Sequence, residues 1–187
     1  PETQLFTATA TVGFSGVIAG NAMTCGVAAA TGAVYCWGAG NDGQLGKGGF
    51  ANSTAPSVAV SQSGDTATGV MLTSRQVSGG RNGFCSLTLA RTLYCWGRQL
   101  GGAVNVSPTA ITLTSGGATL LPDGVAIGED FGCLLTLAGD GFCSGNNFNG
   151  QLGDANSPTG AAVGTWVSIA PPPTFFSAIS TGRAHAC

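Results

Sequence analysis

Charge is what this chain has least of. Only six of its 187 residues are Lys or Arg and eight are Asp or Glu, so 7% are charged. A typical globular chain carries about 25%. With no basic run, a net charge of −2 and a pI near 5.0, a nucleic-acid-binding face is excluded, because such a face must be basic. No apolar run approaches the ~20 residues of a membrane-spanning helix. There is one histidine, His185. No G-x-S-x-G, H-E-x-x-H or P-loop pattern is present, and no C-x₂-C spacing that would suit zinc or a redox dithiol. The chain opens at Pro1 without a methionine or a signal peptide, which reads as a mature or partial chain.

What covers the surface instead is small and uncharged: 32 glycines and 36 serines and threonines. Hydrophobic residues make up 43%, enough for a core and too many for a disordered chain. A surface this poor in charge resists dissolution less well than a charged one. It suits a glycosylated protein or one packed against neighbours.

The sequence repeats. "VIAGNAMTCGV", "VSGGRNGFCSL", "VAIGEDFGCLL" and "ISTGRAHAC" align on Cys25, Cys85, Cys133 and Cys187, with periods of 60, 48 and 54 residues. Five residues before each cysteine stands a glycine (Gly20, Gly80, Gly128, Gly182), and eight before it a β-branched residue (Val17, Val77, Val125, Ile179). A second cysteine follows in the first three units, at Cys36, Cys95 and Cys143, in "YCWG", "YCWG" and "FCSG". Gly-Gln-Leu-Gly then recurs at one offset from Cys36 and from Cys143. The second unit keeps Gln-Leu-Gly but lacks four residues of that loop. The units run over about 15–75, 76–123, 124–178 and the start of a fourth at 179–187.

Each unit reads as short strands and Gly-rich turns, with no long helical period. Candidate outer strands lie in "APSVAVS", "SPTAITL" and "TWVSIA". Three or four short strands in about 50 residues is the signature of a propeller blade. The expected fold is all-β: about three and a half blades of a β-propeller, partial or open, or part of a larger ring.

The cysteines of each unit stand 11, 10 and 10 residues apart and bracket one hairpin turn. Residues directly opposite in an antiparallel pair have Cβ atoms close enough for a disulfide after small adjustment. Three intra-hairpin disulfides are expected, Cys25–Cys36, Cys85–Cys95 and Cys133–Cys143, rather than the buried free thiols of a cytosolic protein. Cys187 is left unpaired, as the first cysteine of a fourth hairpin. Disulfides imply an oxidising, extracellular or cell-surface setting. Two N-glycosylation sequons agree with it, at Asn52 and Asn105. The run Pro171, Pro172, Pro173 reads as a rigid polyproline connector or as an O-glycosylated patch.

Nothing assembles a catalytic or metal site. The adjacent acids Glu129 and Asp130 occupy positions held by Arg81 and Asn82 in the second unit, so they read as solvated surface rather than a dyad. The polar loop "GNDGQ" lacks the carboxylates of a calcium site. Trp37 and Trp96 recur at one position and are expected to pack between blades. Trp166 stands alone. No cofactor is implied.

The unit G-x-x-x-x-C followed by Y-C-W-G-x-x-x-x-G-Q-L-G resembles the regulator of chromosome condensation repeat. The resemblance implies blades of a seven-bladed propeller. Its histidine two residues before the first cysteine is kept only at His185, with Met23, Gly83 and Phe131 in the other copies. The second cysteine of each hairpin resembles the secreted branch of the family, which includes receptor-kinase ectodomains and secreted bacterial inhibitors. Three and a half repeats leave a ring unclosed, so further blades or neighbouring subunits are expected as partners. The expected function is a non-catalytic extracellular scaffold glycoprotein module, such as a subunit of a surface fibre or appendage. The alternative is a ligand-binding ectodomain or secreted inhibitor using one propeller face. The founding family's nucleotide-exchange role sits poorly with paired cysteines and an acidic balance.

Overall fold

A computed structural model describes residues 13–59, 73–98, 100, 104–155, 162–169 and 175–187. The fold is all-β. Blade one is β1 (Phe14–Ala19), β2 (Met23–Ala28), β3 (Val34–Gly38) and β4 (Ser53–Ala59). Blade two is β5 (Ser74–Gly79), β6 (Gly83–Thr88), β7 (Leu93–Arg98) and β8 (Val104–Ile111). A two-stranded ribbon follows, β9 (Thr114–Ser115) and β10 (Ala118–Thr119), turning on Gly116-Gly117. Blade three is β11 (Pro122–Ile127), β12 (Phe131–Thr136), β13 (Gly141–Asn146) and β14 (Ala162–Ser168). Each blade is an antiparallel meander in sequence order. A fourth begins in the same register, with Ser180 and Cys187 exchanging both backbone hydrogen bonds at 2.9 Å.

The hairpin register sets the cysteines opposite each other: Cys25 faces Cys36, Cys85 faces Cys95, and Cys133 faces Cys143. All three pairs are bonded, each with a Cα–Cα separation of 4.1 Å, and all six cysteines are buried. In each blade the glycine two residues after the second cysteine lies at positive φ: Gly38 (105°), Gly97 (76°) and Gly145 (109°). There the ladder to the outer strand slips out of register. An L side chain rarely adopts this φ, which explains the recurring Cys-x-Gly.

The core lies between the blades. Cys25, Val34, Cys36 and Leu45 of blade one meet Phe84 and Trp96 of blade two. Cys85, Leu87 and Cys95 of blade two meet Val125, Ile127 and Leu134 of blade three, joined by Trp166. Cys133, Cys143 and Leu152 pack against Ile179 and Ala186 of the incipient fourth blade. Burying one such Leu or Phe contributes about 1.5–3 kcal/mol, so the stack is held mainly by these interlayers. No described helix is long and apolar enough to cross a membrane.

Candidate functional site

The turns that follow the first strand of each unit converge. Ala19–Asn21, Gly79–Arg81, Ile127–Glu129 and Thr181–Arg183 line one open cavity of about 540 Å³. The repeat glycine makes the convergence possible. A Cβ on Gly20 would stand 2.8 Å from the Gly80 carbonyl oxygen, and one on Gly128 would stand 2.9 Å from that of Gly182. A Cβ on Gly80 would overlap the Gly128 carbonyl outright. At Gly80 backbone meets backbone, so no side chain can yield; at Gly20 and Gly128 the rings of Phe84 and Phe131 close in as well. Adjacent turns are also hydrogen bonded: Asn21 N–H donates to Arg81 O at 3.1 Å, and Glu129 N–H to Arg183 O at 3.2 Å.

One residue further, the four turns carry Asn21, Arg81, Glu129 and Arg183. Glu129 accepts from Arg81 Nη1 at 2.6 Å and from Arg183 Nε at 2.5 Å, and its side chain is only 16% exposed. Of the two adjacent acids, Asp130 is exposed, while Glu129 is held by two ion pairs at the protein surface. Its charge differs from that of the second unit because its partners are the matching residues of the neighbouring turns. Arg183 first and Arg81 second hold the Glu129 carboxyl below its ordinary range, against a smaller opposing effect of burial. A carboxylate held low is ionised near neutrality and is ill suited to donate a proton.

Asp123 repeats the arrangement between blades two and three. It pairs with Arg91 at 2.7 Å and Arg75 at 3.1 Å. The bond from Arg91 is the main cause lowering its pKa. Arg91 itself sits in the left-handed region, at φ 62°, and donates to Pro122 O. Gln76 Nε2 donates to Val125 O at 2.9 Å, and Ser78 Oγ accepts from Ile127 N–H at 2.9 Å. Side chains of one blade thus satisfy the backbone edge of the next.

A carboxylate with a depressed pKa stabilises the fold fully above the ordinary carboxylate range, and that contribution is lost as pH falls through the depressed value. Both acids are partly exposed to screening solvent, so the effect is modest. We expect the melting temperature to hold from neutrality down to about pH 5 and to fall below about pH 4. The Glu129→Gln variant should show a shallower acid fall, in calorimetric scans across that range. An identical acid slope in both proteins would remove this role from the hub.

The Gly-Gln-Leu-Gly turns face the neighbouring blade on the same side. In blade one, Gln44 Oε1 accepts from Asp42 N–H at 2.7 Å, folding the side chain into its own turn. Leu45 is fully buried. The Gln44 carbonyl then accepts the Trp96 indole N–H at 2.9 Å. Trp96 is fully buried and stacked on Phe84, as expected for packing between blades. Trp37 differs: it is half-buried against Phe14 of its own blade, with ring centroids 5.7 Å apart. No described Gly-Gln-Leu-Gly turn precedes it. In blade three the equivalent position is Ser144, next to the shortened loop of blade two. A cavity of about 210 Å³ remains there, lined by Leu100, Ser144 and Trp166. Trp166, from the outer strand, lines that cavity beside Ser144.

Residues 31–87 match the family model of the Regulator of chromosome condensation (RCC1) repeat. The chain resembles the RCC1-repeat family. In shape it is similar to Prp20p from Saccharomyces cerevisiae, studied for its binding to Gsp1p and histones. The TM-score is 0.74 at 15% identity, over 92% of this chain and 42% of that one. It is also similar to a chain in the structure of Kap60 bound to yeast RCC1 (Prp20), with TM-score 0.69, 17% identity, and 95% and 42% coverage. Human WBSCR16 gives TM-score 0.57 at 18% identity, over 92% of this chain and 56% of that one. No curated protein matches the chain in sequence. The chain therefore spans between about two fifths and somewhat over half of the RCC1-like structures it matches. These identities establish the propeller fold.

Of the remaining sequence candidates, Asn52 and Asn105 lie at or beside the outer strands, and His185 and Cys187 in the incipient fourth blade. Asn52 is exposed; its Oδ1 accepts from Gly40 N–H at 2.8 Å, which leaves the amide nitrogen free to carry a glycan. Asn105 is half-buried in β8, opposite Gly97. Cys187 is exposed and unbonded. His185 is exposed, with its ring against Gly182. Pro171, Pro172 and Pro173 lie outside the described residues. No group of three or more His, Cys, Asp or Glu among the described residues could hold a metal ion. The hub ion pairs and the Trp socket were missed by sequence reasoning, because each joins residues 48 or more positions apart.

Proposed function

We propose that this chain is a non-catalytic extracellular scaffold module that works by protein–protein contact, as a subunit of a larger surface assembly. The observation that carries the reading is the buried cysteine pair in every complete blade, a device suited to an oxidising compartment. Three further features support it. The ionised hub acid Glu129 is consumed in inter-blade pairs. The low charge suits a surface covered by glycans or neighbours. The similar yeast propeller Prp20p was itself studied for its binding to other proteins. In this reading Asn52 carries N-linked glycan and Asn105, half-buried in its strand, does so less, while further blades or neighbouring copies extend the stack.

The test is to purify the protein from a secreting eukaryotic host, size it by light scattering, and map glycans by mass spectrometry. We expect species larger than the 18.3 kDa polypeptide after enzymatic removal of glycans, with Asn52 modified more fully than Asn105. A single monomeric species would contradict the assembly role and favour a ligand-binding ectodomain or inhibitor.

A further inference from the structure

The layer between blades two and three departs from the layer before it. Across the β6–β7 hairpin Phe84 faces Trp96, and both rings are buried in the layer shared with blade one. Across β12–β13 the matching pair is Gly132 and Ser144, so blade three lacks both rings. The Gly132 side is closed by aliphatic groups: a Cβ there would stand 2.7 Å from Ile127 Cδ1 and 3.3 Å from Leu100 Cδ1. The Ser144 side is not closed, and the cavity of about 210 Å³ lies beside it.

The lining is graded from inside to outside. Cys95 and Trp166 line it and are buried. Leu100 and Ile111 are half-buried, and Thr112 and Thr165 are exposed, so the cavity opens to solvent past hydroxyl groups. No ionisable side chain is among the described lining residues. Trp166 is 6% exposed, yet among the described residues no acceptor meets its indole N–H. Trp96 differs, since the Gln44 carbonyl accepts its N–H at 2.9 Å. A buried indole N–H ordinarily has a partner.

We propose that this cavity is a binding site for a small neutral phenol. An apolar cavity of about 150 Å³ takes up benzene, so this one has room for a ring with a small substituent. The ring packs between Leu100, Ile111 and the Trp166 indole, where aromatic contact adds to burial. The phenolic oxygen accepts the Trp166 N–H, and its own proton goes to a lining threonine hydroxyl. A charged ligand is rejected, because no opposite charge is at hand to offset its desolvation. The inference goes beyond the scaffold reading and does not depend on it.

The test is isothermal titration calorimetry of the full 187-residue chain with three probes. They are p-cresol, toluene (which lacks the oxygen) and 4-methylbenzoate (which carries a charge). We expect one saturable p-cresol site and no 4-methylbenzoate binding. Trp166→Phe keeps a ring and removes the donor. It should lower the ratio of p-cresol to toluene affinity about tenfold, a comparison in which the probes' own hydration cancels. Ser144→Trp, which puts a large ring beside the cavity, should abolish p-cresol binding in a protein that circular dichroism shows to be folded. The proposal is overturned by the lack of a saturable p-cresol site, by equal binding of 4-methylbenzoate, or by an unchanged affinity ratio in folded Trp166→Phe. The first two results need only the unaltered protein, so they stand even if a variant fails to fold. Assembly is read by sizing and this site by titration, so either can fail while the other holds.

Discussion

Gly80→Ala should lower the melting temperature by about 10 °C, from overpacking of about 3 kcal/mol or more in a chain of this length. The added methyl would overlap the carbonyl of Gly128. Most overpacked sites relax by moving a side chain. Here both partners are backbone, and Gly128 is fixed in turn by the packed ring of Phe131 and the nearby Gly182 carbonyl. Blades two and three must part at the hub, which also pulls Arg81 from Glu129. Gly49→Ala is the control: a Cβ there meets nothing within 4 Å, and its effect should stay within about 0.5 kcal/mol. Differential scanning fluorimetry of the pair decides the matter. Equal melting temperatures would mean that the hub turns do not approach as described.

Reduction should have a still larger effect. Each disulfide closes a loop of 10 or 11 residues and restricts the unfolded chain by about 2–3 kcal/mol. Three together amount to about 6–9 kcal/mol, against a total stability of about 5–15 kcal/mol for an ordinary domain. The six thiols left behind would sit in the apolar layers between blades. We expect a phosphine reductant to remove most of the β signal in circular dichroism at room temperature, or to bring the melting temperature close to it. A protein whose melting curve ignores the reductant would not depend on these bonds.

The repeat positions announced themselves in the sequence because each solves a local problem three or four times. Cys-x-Gly recurs because the ladder slips just after the second cysteine and needs a positive φ. The glycine five residues before the first cysteine recurs because each hub turn touches the next. What stayed hidden are the differences between copies. Glu129 replaces an arginine because arginines flank it on both sides, a pairing across 48 and 54 residues. Ser144 stands where the other blades have tryptophan, beside a cavity lined by Leu100 and Trp166. Trp37 shares its motif with Trp96 yet packs on Phe14 of its own blade. The small β9–β10 ribbon gave only a Gly-Gly pair as its signal. Period reports what the blades share, and only their stacking explains where they depart.

The most direct measurement is disulfide mapping of the native protein, alkylated without reduction and digested. The structure requires three linked pairs, Cys25 with Cys36, Cys85 with Cys95 and Cys133 with Cys143, with Cys187 outside all three. Alkylation of all seven cysteines, or links that cross from one blade to another, would contradict both the blade register and the extracellular scaffold built on it.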